Sequence, residues 1–238
     1  MTTGTVVFIH GFTDTAALWN GVHPRLRAPG WRSRAVNLRH VDGAEPGRRG
    51  ALLEGYRDQV VDGLNDLDSP LIVVGHSMGT QIAELVATAL PAAGMALIAP
   101  IPLAGYPLNP EQTANFDRAA RNRDLEAAAE GRRALLVNDS ESVVRALVRA
   151  TLATPPETAI QELEAWTTGH PLGDQPSSVG VPVLLVGSED KFTTTDAVAH
   201  RFADVRTAHV AGAGHWPHVE QPVAVARILT NYIERLGK

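Results

Sequence analysis

Leu71-Ile72-Val73-Val74-Gly75-His76-Ser77-Met78-Gly79-Thr80-Gln81-Ile82-Ala83-Glu84-Leu85-Val86 is the stretch on which the fold turns. Leu71 to Val74 carry no polar side chain, which suits a strand buried on both faces, the setting of a parallel sheet covered by helices. The residues from Gln81 onward have helical composition, and Pro91 cannot continue a helix, so residues 78–90 are expected to be helical. Gly75 to Gly79 therefore joins a strand directly to a helix. A turn this abrupt strains the backbone at its centre, lifts the Ser77 hydroxyl clear of the sheet, and needs small residues two positions to either side. Gly-x-Ser-x-Gly can arise by chance, but a strand before it and a helix after it make Ser77 a candidate nucleophile. N–H groups at the helix start favour a negative charge developing in front of the hydroxyl. His76, whose side chain need not face the reacting group, reads as structural.

Outward from this junction, glycine-punctuated apolar runs at 6–9, 34–38, 71–75, 95–98, 181–187 and 206–210 predict six strands. Helical patterns at 16–26, 56–67, 78–90, 196–202 and 223–236 fit between and after them. In the last, Val225, Ile228, Leu229, Tyr232, Ile233 and Leu236 recur at three- and four-residue spacing, so one face must be buried. The expected fold class is α/β, with a mostly parallel sheet and helices on both faces. About eighty residues separate the fourth strand from the fifth, far more than a crossover needs. They are read as an inserted helical cap over 103–171, with helices near 111–121, 125–136, 140–152 and 157–166, and a core of 1–102 and 172–238.

The chain has 238 residues, 44% of them hydrophobic, enough for one sizeable core. A net charge of -5, with the basic residues spread along the chain, argues against a nucleic-acid partner. Absence of cysteine excludes disulfides, thiolate metal sites and a cysteine nucleophile. The apolar run near the N-terminus is too short for a signal segment or a membrane span, so a soluble cytoplasmic protein with no membrane partner is expected. Oligomeric state is not readable.

A serine nucleophile needs a donor set, a base and an orienting acid. His10-Gly11-Phe12 ends the first strand at the same sheet edge as Ser77, so the backbone N–H groups of Phe12 and Met78 are candidate donors to an oxyanion. His10 itself reads as a hydrogen-bonded turn residue. Of nine histidines, His215 lies in the glycine-rich loop Gly212-Ala213-Gly214-His215-Trp216 between the last strand and the last helix, where an imidazole can reach over Ser77. His218 reads as support for that loop. Asp190 in Gly187-Ser188-Glu189-Asp190 follows the fifth strand on the same edge, with Glu189 pointing away if Asp190 points in. No acid except Glu111 follows the fourth strand within 99–112, which closes the other common position for the acid.

Together these motifs, with Pro217-His218-Val219-Glu220-Gln221-Pro222 after the base, resemble the α/β-hydrolase fold superfamily. The resemblance is to its small capped serine hydrolases: esterases, carbon–carbon bond hydrolases and cofactor-free haloperoxidases. It covers nearly the whole chain outside the cap. Three departures stand out. Two N-terminal strands common in larger members are expected to be lacking, Asn37 stands where relatives often have Asp, and Thr80 replaces a second glycine after the serine.

The resemblance implies a Ser77, Asp190, His215 triad acting on a small-molecule substrate without metal or organic cofactor. Cleavage of a small carboxylic ester through an acyl-enzyme is the leading expectation. Thioesters, lactones and activated carbon–carbon bonds are alternatives, as are perhydrolysis and a non-hydrolytic receptor or oxygenase on the same fold. Trp19, Phe116, Trp166 and Trp216 are candidate pocket aromatics that also read as core packing. Arg118, Arg121, Arg123, Arg132 and Arg133 of the cap read most simply as solvated helix faces.

Overall fold

A computed structural model describes residues 4–45, 47–64, 70–121 and 124–237. Six parallel strands, β1 (Gly4–Ile9), β2 (Trp31–Val36), β3 (Leu71–His76), β4 (Ala92–Ile98), β5 (Val183–Ser188) and β6 (Val205–Val210), form one sheet in the order β2-β1-β3-β4-β5-β6. The chain builds outward from β1 to β2, returns to place β3 on the other side of β1, and then proceeds outward through β4 to β6. Strand order reverses between β1 and β3, and a crevice opens at such a reversal beyond the carboxyl ends of the strands.

Strand periodicity divides the apolar runs between two layers. Val7, Ile9 and Val73 face α1 (Ala51–Asp62) and α2 (Met78–Ala89), where Leu53, Tyr56, Val60, Ile82 and Leu85 are buried. Val6, Phe8, Ile72 and Val74 face α9 (Pro222–Leu236) through Val225, Leu229, Tyr232 and Ile233. Four helices, α3 (Pro110–Arg121), α4 (Leu125–Arg133), α5 (Glu141–Ala153) and α6 (Pro156–Thr168), lie in the chain between β4 and β5. Two of them share the packing of the α1–α2 layer, α6 directly and α3 through the half-buried Phe116. Ala165 and Trp166 of α6 belong to the α1–α2 core, and Val143, Leu147 and Ala150 of α5 close a third cluster with Leu18 and Trp216.

Several elements depart from expectation for local reasons. The helix expected over 16–26 is two 3-10 turns, Ala16–Gly21 and His23–Arg25, because Pro24 lacks the N–H a continuous helix would use. Gly21 is pinned there, since a Cβ on it would lie 2.9 Å from Pro222. β2 begins earlier than expected and ends before Leu38, whose N–H donates instead to His10 Nε2 at 3.0 Å. β5 begins at Val183, after Pro182, which has no N–H for the ladder. The helix expected over 56–67 runs from Ala51 and stops at Gly63, and Leu67 lies outside the described residues. Two short helices complete the chain: α7 (Asp196–Ala199), shorter than expected, and α8 (Pro217–Glu220), which periodicity over four residues cannot signal. Among the described residues no helix is long and apolar enough to cross a membrane.

Candidate active site

Ser77 has φ 51° and ψ −124°, a backbone conformation that β-carbon sterics make costly. The two flanking glycines are required by close backbone contacts. A Cβ on Gly75 would lie 2.3 Å from the Gly79 carbonyl oxygen, and one on Gly79 would lie 2.5 Å from the carbonyl oxygens of both Ile9 and His10. Gly79 thus sets the approach of α2 to the end of β1 as well as to β3. Gly11, just past β1, sits so near the serine that a Cβ there would meet the Ser77 Cβ at 3.0 Å.

This packing places the Phe12 turn beside the start of α2. Among the described residues, neither the Phe12 nor the Met78 backbone N–H donates to a protein acceptor. His10 behaves as a turn residue: Nε2 accepts from Leu38 N–H, so Nδ1 carries the proton and donates to the Gly11 carbonyl at 2.9 Å.

The residues expected to act together are brought into one line. His215 Nε2 lies 3.1 Å from Ser77 Oγ, and His215 Nδ1 lies 2.8 Å from Asp190 Oδ2. Burial alone would raise the Asp190 carboxyl. The His215 ring, the Thr193 hydroxyl at 2.6 Å and the Phe192 N–H at 2.9 Å outweigh it and hold the group at about 2. Glu189 points away, accepting from Gly212 N–H at 2.8 Å at the base of the histidine loop. Ser188 Oγ donates to the Gly214 carbonyl at 2.7 Å, so the acid loop and the histidine loop are stitched together.

Beneath the loop, His76 Nε2 donates to the His215 carbonyl at 2.7 Å. His218 is fully buried, stacked on Trp19 at 4.2 Å and beside His76 at 4.4 Å, and burial pushes its pKa well down, so it is neutral. Glu220 closes the far side. Its Oε1 accepts from Gly214 N–H at 2.9 Å, and its Oε2 accepts from Val137 and Asn138 N–H, each at 2.9 Å. His215 N–H also donates to the Leu135 carbonyl at 2.9 Å. The histidine loop is therefore bound directly to the segment after α4.

A buried polar cluster that sequence reasoning missed lies behind the Phe12 turn. Asp14 meets Arg132 Nη1 at 3.1 Å and accepts from Trp216 Nε1 at 3.1 Å. Burial opposes the Asp14 charge, but the Arg132 guanidinium and the His76 ring hold its pKa well below the usual carboxylate range. Arg132 is not on a solvated helix face as expected. It is buried, donates to the Thr13 carbonyl and hydroxyl at 2.8 Å and to Thr151 Oγ1 at 2.9 Å, and lies 4.6 Å over the Trp216 ring. Glu162 Oε2 accepts from Thr13 N–H at 2.7 Å. Arg118, Arg121 and Arg133 are exposed, and Arg123 lies outside the described residues. The signal for Arg132 and Glu162 was unreadable, because each sits on a helix whose other charged residues are exposed.

Two of the four expected pocket aromatics join a ring group near the serine. Phe116 and Trp166 lie 5.1 Å apart and pack with Phe12, Tyr106 and Phe192, and Phe192 lies 5.7 Å from His215. Trp19 must be removed from that set: it is fully buried against Phe8 on the α9 side of the sheet, where the 3-10 turn directs it. Trp216 stands edge-on to His215 at 4.8 Å but packs outward on Leu18 and Leu147. Phe12, Tyr106 and Phe192, which were missed, each follow the carboxyl end of a core strand, and that position was their signal. A separate cleft of about 470 Å³ backs onto the same turn through His10 and Asp14, and its lining includes none of Ser77, Asp190 or His215. Among the described residues no group of three or more histidine and acidic side chains is arranged to hold a metal ion.

Similar architectures occur among solved structures. An esterase from Thermogutta terrifontis is 22% identical, with a TM-score of 0.77 over 100% of this chain and 92% of that one. A bromoperoxidase from Bacillus anthracis is 16% identical, with a TM-score of 0.82 over 98% and 92%. A 2-hydroxy-6-oxo-6-phenylhexa-2,4-dienoate hydrolase from Rhodococcus sp. strain RHA1 is 16% identical, with a TM-score of 0.77 over 98% and 91%. Identities this low establish a shared fold and nothing finer. No curated protein matches the chain in sequence. The family model described as the alpha/beta hydrolase family matches residues 6–228, spanning the serine junction, the insertion, the acid loop and the histidine loop, and the chain belongs to that family.

Proposed function

We propose that the protein hydrolyses a small, neutral carboxylic ester through an acyl-enzyme on Ser77. The observation that carries this reading is the relay from Ser77 Oγ to His215 Nε2 at 3.1 Å and from His215 Nδ1 to Asp190 Oδ2 at 2.8 Å. An ionised Asp190 holds the proton on Nδ1, which leaves the Nε2 lone pair facing the hydroxyl. Ser77 Oγ attacks the ester carbonyl as Nε2 takes its proton. The carbonyl electron pair moves to oxygen, where the Phe12 and Met78 N–H groups receive the charge. Collapse expels the alkoxide, which leaves as the alcohol with the proton from Nε2. Water, deprotonated by His215, attacks the acyl carbon, and the acid departs as Ser77 recovers its proton.

A neutral substrate is favoured over an anionic one by the fate of Arg132. Its Nε, Nη1 and Nη2 atoms are engaged by Thr151, Asp14 and Thr13, and the buried charge is paired with Asp14 rather than held for a substrate carboxylate. The rings of Phe12, Tyr106, Phe116 and Phe192 are half-buried and stand around the buried Trp166, an apolar surface suited to the acyl or alkyl part of an ester. In this reading residues 103–171 act as the cap that supplies the pocket wall.

A fluorophosphonate is expected to label wild-type Ser77 stoichiometrically. Ser77→Ala is expected to abolish both labelling and hydrolysis of a chromogenic short-chain ester while leaving the thermal unfolding transition in place. Wild-type kinetics across esters, a thioester, a lactone and a vinylogous diketone, with and without peroxide and bromide, would show which acyl acceptor and bond are preferred. Full activity in Ser77→Ala would overturn the assignment.

A further inference from the structure

We infer that Glu162 of α6 is a positioning residue for the oxyanion donor, gripping the turn that carries the Phe12 N–H. The inference rests on the serine-hydrolase reading above and deepens it.

Phe12 N–H belongs to the peptide whose carbonyl is that of Gly11, and this carbonyl is already held by His10 Nδ1 at 2.9 Å and by Asp14 N–H at 3.2 Å. The next peptide carries the Thr13 N–H, and Glu162 Oε2 binds it at 2.7 Å. The two planes flanking the Phe12 α-carbon are therefore fixed from opposite sides, one by the turn itself and the other by the insertion. What remains free to orient the donor is small.

The turn needs such a hold. Thr13 has φ 50°, a left-handed conformation that costs a β-branched residue about 1–3 kcal/mol and persists only when its surroundings over-determine it. Arg132 of α4 reinforces the grip by binding the Thr13 carbonyl and hydroxyl. Packing alone does not account for Glu162. Its side chain is fully buried, its second oxygen has no hydrogen-bond partner among the described residues, and an apolar residue of that volume would cost the fold less. Tyr56 of α1, Asp14 of the turn and Arg132 of α4 are the titratable groups that act on it. Burial raises its pKa to about 8, with Asp14 adding to the shift, so near neutral pH it is an uncharged acceptor that glutamine can imitate.

The test uses the full chain carrying Glu162→Met, which removes the acceptor at similar volume, and Glu162→Gln, which keeps it. The readouts are kcat and KM on a neutral p-nitrophenyl ester per fluorophosphonate-titrated site, and the inhibition constant of a trifluoromethyl ketone with the same acyl group. Glu162→Met is expected to lower kcat about 10- to 100-fold with KM within about threefold, and to weaken the ketone, which presents an oxyanion, by a matching factor. Glu162→Gln is expected to retain most of kcat. A Glu162→Met protein with kcat per titrated site within about threefold of wild type overturns the inference, as does a Glu162→Gln loss equal to that of Met. Should Glu162→Met fail to fold, Glu162→Asp, one methylene short of Thr13 N–H, takes its place under the same criteria. A wild type that turns over esters without labelling at Ser77 would instead defeat the serine reading and take this inference with it.

Discussion

Glu162 also has a thermodynamic signature that can be measured apart from catalysis. Its carboxyl titrates at about 8 in the folded chain against an ordinary value of 4.5, because burial disfavours the charged form. Between those two values the folded state holds a proton that the unfolded state has released, so the stability this group allows falls as pH rises. The contribution is fully present below pH 4.5 and is lost by the time pH passes about 8. Glu162→Gln removes the titration without removing the acceptor. Its unfolding temperature is therefore expected to match wild type near pH 4.5 and to exceed it by several degrees at pH 8.5, a difference on the order of a few kcal/mol. Groups remote from Glu162 titrate alike in both proteins and cancel in the difference. A gap between the two proteins that stays constant from pH 4.5 to 8.5 would mean that Glu162 is already charged in the folded state. At this scale, Ser77, His215 and Asp190 were legible because each follows a strand in a motif of small residues, whereas Glu162 and Arg132 were not. Nothing local distinguishes a buried charge on an amphipathic helix from its solvated neighbours, since only the tertiary partner decides which it is.

The strands were legible because β1 and β3 are buried on both faces and their sequences carry no competing period. The exceptions lie where a side chain or a proline takes over a backbone group, as His10 does at Leu38 and Pro24 does in the first connection. Least legible was α8, four residues long, yet its last residue joins two parts of the site. Glu220 accepts from Gly214 N–H in the histidine loop and from Val137 and Asn138 N–H after α4. Replacing it by alanine leaves these donors without their acceptor. Hydrogen bonds to a charged group contribute roughly 1.5–3 kcal/mol each, and partial rehydration recovers some of that. Glu220→Ala is expected to lose about 3 kcal/mol of stability, about 6–12 °C in Tm for a chain of this size, and to lower kcat per titrated site as His215 loses its fixed height over Ser77. Equilibrium denaturation and active-site titration would check both. A loss below about 1 kcal/mol would show that the two segments are held by the Leu135 carbonyl and packing instead.

Across the whole molecule, these contacts constrain how the insertion can open. A rigid swing of all four helices would break the Glu162–Thr13 and Arg132–Asp14 contacts on one side of the serine, and the Glu220–Val137 and His215–Leu135 contacts on the other. Such a motion would disrupt the Phe12–Thr13 turn and the His215 loop together. α3 is differently placed. It buries only Ala120 among its described residues, and it reaches the site through the half-buried Phe116, which meets Trp166 at 5.1 Å, Phe192 at 5.8 Å and Phe12 at 5.9 Å. By contrast, α5 buries six residues and α6 buries five, among them Trp166 and Glu162. Local opening has the lowest free energy where few contacts are lost, so α3 is expected to move alone while α5 and α6, with α4 tied to α5 and to the Thr13 turn through the buried Arg132, remain as a fixed wall. Native-state amide exchange would then show α3 exchanging at least about tenfold faster than α5 and α6, and slowing selectively once a bulky phosphonate occupies Ser77 and packs against Phe116. Uniform exchange across the four helices, or slowing spread evenly over them, would mean that the insertion opens as one body and that the contacts on the Thr13 turn and the histidine loop are remade at each opening.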